Sequence, residues 1–565
     1  MTRFTVLLAI AAWIGVTPAV AADPSAITGA GGAVASAEAD ATAAGVEILR
    51  RGGNAADAAV ATALALAVVH PQAGNLGGGG FAVIRIDGEL ATLDFREIAP
   101  AAATRDMYLG EDGKPIPEAS WIGPLAAGVP GSPHGLHMLH QRFGALPWEE
   151  VVKPAIRLAA EGFVVSDRLA RDLATEQALL TRFSSSAKVW LPGGEPIEAG
   201  TTMRMPRLAA TLADYARIGP AAITEGKVAA AVEEASRKHG GVLTAADLAG
   251  YRPEWRKPVR FEAYGWQVAS MPLPSSGGII IGQTVGMLQR VGWSDSPRFG
   301  ADRFHLLAEA LRRTFADRFL LGDPATTLAD AGQLLAPDLL DSRANQIRLR
   351  RATPSKKVKA WSGPAPKESS ETTHLSVLDA DGNAVSITTT LNGWFGCGLM
   401  VEGAGFFLNN EMDDFAAAPG KPNTYGLVQG EANAVGAGKR MLSSMSPVVA
   451  WRGAEVLVLG SPGGPRIPTA TAQVLLNVVV DSDELQAAVN RPRIHHQWLP
   501  DAIFAESDAL SPETAAVLEK RGHEIRLRHA VGKVQAVRLR SDGTFAAAGD
   551  PRGPGVGGVE GPGKK

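Results

Sequence analysis

Two runs of β-forming residues, Thr372 to Asp379 and Ala384 to Leu391, flank the turn sequence Ala380-Asp381-Gly382-Asn383. Asp-Gly at the centre of such a turn specifies a hairpin, because both residues tolerate the positive φ that a tight connection demands. Folding about Asp381-Gly382 brings Thr372 opposite Thr390 or Leu391, to within one residue of register. Two threonines therefore meet at one end of the hairpin. By the two-residue period of a strand, Thr388, Thr390 and Asn392 share a face and lay a polar strip beside Thr372. Taken alone, that strip fits an ordinary half-exposed threonine-rich strand.

The residues before the hairpin have another texture. From Arg343 to Lys359 the chain is basic, and Trp361 to Ser370 is rich in Pro and Ser. No aromatic residues interleave with the charges, so this reads as a solvated helix end feeding a mobile linker, which ends at Glu371-Thr372. Across all 565 residues the formal net charge is only −3, which points to neither nucleic acid nor an acidic membrane surface. Length alone suggests three or four domains at roughly 150 residues each. Candidate site residues are scattered from Arg96 to Gly464, however, which favours one large two-part unit.

At the N-terminus, Arg3, the apolar run Phe4 to Val16 and the small residues Ala19-Val20-Ala21-Ala22 read as a secretory signal peptide over residues 1–22. That run is shorter than the ~20 apolar residues of a membrane span, so no stable membrane anchor is expected, and the mature chain is expected to be periplasmic or secreted. Cys397 is the sole cysteine, which rules out an intrachain disulfide and a cysteine-based zinc site; it reads as a small buried thiol.

Ala35 to Val69 has helical periodicity, interrupted by Arg50-Arg51-Gly52-Gly53-Asn54 and restarting at Ala55. Gly77 to Gly80 enters a hairpin, Phe81 to Ile86 and Ala91 to Phe95 about Asp87-Gly88. Without a Gly-Lys-Ser/Thr ending, and leading into a strand, the glycine run reads as close backbone approach and not as a phosphate loop. The middle, Leu125 to about Arg348, reads as helical packing, and Gly553 to Lys565 as a disordered tail. Arg493-Ile494-His495-His496-Gln497-Trp498 suggests a metal site, but neighbouring residues on an extended strand point to opposite faces, so neither metal nor cofactor is expected.

Several blocks together resemble the γ-glutamyltranspeptidase family. They are Gly53-Asn54-Ala55-Ala56-Asp57-Ala58-Ala59, Asp94-Phe95-Arg96-Glu97, Glu371-Thr372-Thr373-His374-Leu375-Ser376-Val377 and Asp381-Gly382-Asn383-Ala384-Val385. Leu408-Asn409-Asn410-Glu411-Met412-Asp413-Asp414-Phe415, Ala432-Asn433-Ala434-Val435, Leu442-Ser443-Ser444-Met445-Ser446-Pro447 and Gly460-Ser461-Pro462-Gly463-Gly464 follow in the family's order.

The resemblance implies an α+β fold, an αββα four-layer sandwich of the N-terminal-nucleophile hydrolases, autoprocessed between Glu371 and Thr372. A large subunit, 23–371, and a small subunit, 372–565, would stay together as a heterodimer. It implies Thr372 as nucleophile, Thr390 as its support and Gly463 and Gly464 as the oxyanion hole. It implies Arg96, with Ser443 and Ser444, for a substrate α-carboxylate, and Asp414, Glu411 and Asn392 for the α-ammonium. Pro419 to Lys439 resembles a lid, with Tyr425 closing over the substrate. The implied partners are glutathione and other γ-glutamyl compounds, with water or an amino acid as acceptor. Alternatives are a glutaryl (cephalosporin) acylase of the same fold, a polyglutamate-cleaving relative, and a non-catalytic γ-glutamyl-binding protein.

Overall fold

The computed structural model describes residues 26–359, 372–416 and 430–561. Its centre is a pair of seven-stranded sheets. The first runs, edge to edge, Val556–Val559, Gly32–Ser36, Thr373–Asp379, Ala384–Thr390, Gly79–Ile86, Glu89–Phe95 and Glu254–Arg256. The second runs Ile27–Gly29, Phe545–Ala548, Gln535–Leu539, Glu455–Gly460, Val448–Arg452, Trp266–Ser270 and Val259–Ala263. Both are antiparallel throughout, so each strand alternates its side chains between an inner and an outer face.

Between the sheets lie mostly small and β-branched residues, among them Ala33, Ala35, Val83, Val449, Val458 and Val537. Such side chains let two sheets approach closely face to face. The outer face of the first sheet is covered by helices Ala39–Arg50 and Ala55–Val69, and that of the second by Gly277–Arg290 and Arg466–Val479. Helix, sheet, sheet and helix make the four-layer αββα sandwich expected from the resemblance.

Ala55–Val69 is buried along its whole length, so it needs no polar stripe. Asn54 starts it with a reciprocal cap, accepting from the amides of Ala56 and Asp57 while Asp57 accepts from Asn54 N. A Cβ at Gly45 on the neighbouring helix would lie 2.3 Å from Thr62 Oγ1, so glycine is what lets the two helices close on each other.

Three sequence expectations are corrected here. Ala35 and Ser36 end the strand Gly32–Ser36, and the first helix starts only at Ala39. The middle is not wholly helical: Glu254–Arg256, Val259–Ala263 and Trp266–Ser270 supply strands to both sheets, and their short length hides them among helices. Val556–Val559 is no loose tail but the edge strand beside Gly32–Ser36, its glycines lying flat against the sheet.

Candidate active site

The hairpin forms in the expected register. Thr373 pairs with Thr389 and Val377 with Val385, so one step further places Thr372 at the level of Thr390, the first of the two expected partners. Asp379 fixes the turn: its carboxylate accepts from the amides of Asp381 and Asn383, and its other oxygen accepts from Ala55 N, which ties the turn to the start of the buried helix. Gly382 takes φ 78°, as the turn requires.

The glycine run packs against this hairpin by backbone contact. A Cβ at Gly77 would stand 1.9 Å from the Phe407 carbonyl oxygen, and one at Gly78 would stand 2.1 Å from that of Thr390. Asn75 stitches the same junction, donating to Thr390 O at 2.8 Å and accepting from Gly78 N at 3.0 Å. Asn392 leaves the strand with φ 74°, a conformation asparagine tolerates, and its amide donates to Thr390 Oγ1 at 2.7 Å.

Arg96 is fully buried. Its Nη1 donates to Glu411 and its Nη2 to Asp414, and Glu97 lies 3.6 Å away. The resemblance assigns Arg96 to a ligand's α-carboxylate and the two acids to its α-ammonium; here the three side chains are in direct contact with one another. Burial opposes the Arg96 charge, but Glu411, Asp414 and Glu97 outweigh it and hold the guanidinium more firmly protonated than usual. The acids move the other way. Burial pushes Glu97 up to about 7 and Glu411 well above the carboxylate range, with Arg96 pulling each back, and Asp414 is raised from the same causes.

A second buried cation, Arg318, was not legible in the sequence. Its Nε donates to Ser276 Oγ at 3.0 Å, and Ser276 donates from both N and Oγ to the Ser443 carbonyl. Burial draws Arg318 down to about 9, against the pull of Asp414. Arg318 thus braces the Ser443-Ser444 turn from below. Gly463 and Gly464, at φ 128° and 56°, precede helix Arg466–Val479, whose N-terminal amides carry partial positive charge.

These parts converge. Thr372, Thr390, Asn392, Arg96, Glu411, Asp414, Ser443, Ser444 and Gly464 line one recess of about 240 Å³, together with Met445 and Ile467, which sequence reasoning did not single out. Gly463 adjoins this lining without belonging to it. Glu371, Tyr425, the signal segment 1–22 and the start of the lid lie outside the described residues.

Other candidates fall elsewhere. Cys397 is buried and its thiol is pushed up to about 12 by burial. His495 turns to Thr469 and Gln497, whereas His496 meets Arg312 and the Trp498 amide, so the neighbours do face apart. Among the described residues no three His, Cys, Asp or Glu side chains are grouped as metal ligands, and no helix is long and apolar enough to cross a membrane.

Paired sheets between helical layers, with a threonine leading a central strand into a polar recess, define the N-terminal-nucleophile class of hydrolases. The sequence profile of the family described as gamma-glutamyltranspeptidase matches residues 41–559. The chain belongs to the γ-glutamyltranspeptidase family and is an enzyme of that family. It is 44% identical over 528 residues to the glutathione hydrolase proenzyme of Escherichia coli strain K12, covering 92% of this chain and 90% of that one. Its identity to the glutathione hydrolase proenzyme of Pseudomonas aeruginosa is 42% over 535 residues, covering 93% and 94%. The crystal structure of cephalosporin acylase from Bacillus halodurans superposes with a TM-score of 0.84 at 26% identity, covering 98% of this chain and all of the other.

Proposed function

We propose that this chain is a γ-glutamyltranspeptidase acting as a glutathione hydrolase, made as a precursor that cuts itself between Glu371 and Thr372. The observation that carries this reading is the single recess in which Thr372 faces a buried guanidinium and two buried carboxylates. One end offers a nucleophile and the other matches both charges of an α-amino acid.

In the cut, the Thr372 hydroxyl attacks the Glu371 carbonyl carbon, the C–N bond breaks as the amine takes a proton, and water opens the resulting ester. Residues 23–371 and 372–565 then form the two subunits, after removal of 1–22 on the way to the periplasm or the medium. The freed α-amino group, with an ordinary pKa of about 8, can accept the proton of its own hydroxyl, which the amide nitrogen of the precursor cannot.

Thr372 Oγ next attacks the γ-carbonyl carbon of the donor. Negative charge gathers on the carbonyl oxygen, where the Gly463 and Gly464 amides at the helix start are suited to receive it. The C–N bond breaks, the amine leaves with a proton, and water or an amino acid takes the γ-glutamyl group from the ester. Thr390, already bonded to the Asn392 amide, sets the position of the nucleophile. Arg96, Ser443 and Ser444 would meet the donor α-carboxylate, and Asp414, Glu411 and Asn392 its α-ammonium. Tyr425 would close over both.

A denaturing gel tests the first step. Wild-type protein should run as two fragments parted before Thr372, and Thr372→Ala as one inactive chain. Intact wild-type protein that still hydrolyses a γ-glutamyl anilide would overturn the mechanism.

A further inference from the structure

Ser443 and Ser444 line the recess from irregular backbone that belongs to no strand or helix, so their position is set by what that backbone is bonded to. Pro274-Ser275-Ser276 does most of this. Ser443 N donates to Pro274 O at 2.8 Å, Ser276 N and Oγ donate to Ser443 O at 2.7 and 2.8 Å, and Ser275 Oγ donates to Met445 O at 2.6 Å. Gly277 lets the two segments close: a Cβ there would stand 1.9 Å from Ser446 Oγ.

Arg318 fixes the direction of one hydroxyl in this cradle. A serine hydroxyl carries a single proton, whereas an arginine N–H can only donate. Arg318 Nε donates to Ser276 Oγ at 3.0 Å, so Ser276 accepts there and its own proton goes to Ser443 O. At Ser443 the side-chain oxygen accepts from Met445 N at 3.1 Å, which leaves its hydroxyl proton for the recess. Arg318 itself is 2% exposed and is not part of the recess lining, so it acts through Ser276 and not on a ligand.

The same turn is tied to the acidic side of the recess. Asn433 Nδ2 donates to Asp414 O at 2.7 Å while its Oδ1 accepts from Leu442 N at 2.9 Å. The serines matter because Arg96 is already engaged: Nη1 and Nη2 donate to Glu411 and Asp414, and Nε reaches Met441 O at 3.4 Å. A carboxylate entering the recess therefore depends on the Ser443 and Ser444 donors for much of its hold.

We propose that Arg318 is a positioning residue for donor selection: through the Ser276 hydroxyl it holds the Ser443-Ser444 turn where a donor α-carboxylate binds, and so sets the preference for donors that carry that group. The proposal rests on the γ-glutamyl reading above and adds to it a residue that touches no substrate.

The test measures kcat and KM on the processed full-length protein for a γ-glutamyl anilide and for the 4-aminobutyryl anilide, which lacks only the α-carboxylate. Both donors carry the ammonium, so any change felt at Asp414 cancels in the ratio of their kcat/KM values. Wild type should favour the γ-glutamyl donor. Arg318→Met should lower that ratio about tenfold, the order of one hydrogen bond, chiefly by raising KM for the γ-glutamyl donor. Arg318→Lys, which keeps a donor and the charge, should retain part of the preference. Ser276→Ala should lower the ratio too, and the double variant no further than Arg318→Met alone, because both act through one hydroxyl. If Arg318→Met does not fold or process, Ser276→Ala decides. Equal losses on the two donors, a ratio unchanged in Ser276→Ala, or fully additive losses in the double variant overturn the proposal and leave the γ-glutamyl reading in place. A wild-type ratio near one overturns both.

Discussion

Replacing Asp414 by Asn removes one charge from the buried cluster and keeps its shape. The cluster sets three carboxyl groups, those of Glu97, Glu411 and Asp414, against the guanidiniums of Arg96 and Arg318, and burial raises all three acids. Because burial raises the Asp414 carboxyl in the folded protein, its ionised form opposes folding at neutral pH, and a neutral amide that keeps an oxygen for Arg96 should not lower the denaturation midpoint. Binding is another matter. An α-ammonium loses a charge-assisted hydrogen bond worth about 1.5–3 kcal/mol, which is roughly a 10- to 150-fold loss in kcat/KM. The assay pairs a γ-glutamyl anilide with the glutaryl anilide, identical except that the second lacks the α-ammonium. Asp414→Asn should lower turnover of the first by that factor and of the second far less. Equal losses on both, in a variant as stable as wild type, would refute the assignment of Asp414 to the ammonium. A wild-type preference for the glutaryl anilide would refute it too, and would favour the acylase alternative.

Two further outcomes are expected. His374 is buried against Gly460, and burial lowers its pKa from 6.5 to about 3. The unfolded chain therefore takes up a proton that the folded chain refuses, and stability is lost as pH falls below 6.5. Relative to His374→Gln, wild type should lose about 1.4 kcal/mol per pH unit on acidification, and a difference that stays flat from pH 7 to 5 in denaturant titrations would refute this. Ending the chain after Pro554 removes the edge strand Val556–Val559 and its pairing with Gly32–Ser36. At about 0.5–1.5 kcal/mol per backbone bond, and about one bond for each of the four paired positions, the loss should be roughly 2–6 kcal/mol; an unchanged denaturation midpoint would mean that the strand is ornamental.

The hairpin was legible because its register depends only on a local turn and a two-residue period, and both are written in adjacent residues. The glycine run was legible for a related reason: four residues without side chains imply close backbone approach, as Phe407 and Thr390 confirm. Arg96, Asp414 and Gly464 were assigned through resemblance, since nothing local distinguishes a buried arginine from a surface one. The direct Arg96 pairing with Glu411 and Asp414, more than three hundred residues away in sequence, depends on packing that no short window contains. Arg318 was missed on the same ground. The edge strand Val556–Val559 was misread because its glycines mimic a linker, whereas flatness against the sheet is what they provide.

The order of strands in the first sheet has a consequence for how the molecule can be made. Thr373–Asp379 lies between Gly32–Ser36 and Ala384–Thr390, and Val556–Val559 closes the edge beyond, so segments from either side of residue 371 alternate across one hydrogen-bonded surface. A cut before Thr372 would sever the chain at a strand end and leave every one of those rungs in place. The two pieces would be interleaved, not merely docked, and neither would own a complete sheet. Assembly instructions would then reside in the uncut chain alone: the mature pair, once unfolded and diluted, would face a bimolecular search for strands it had first received from its own tether. Such an enzyme is built once, and its lifetime is set by how slowly it comes apart and not by how readily it re-forms.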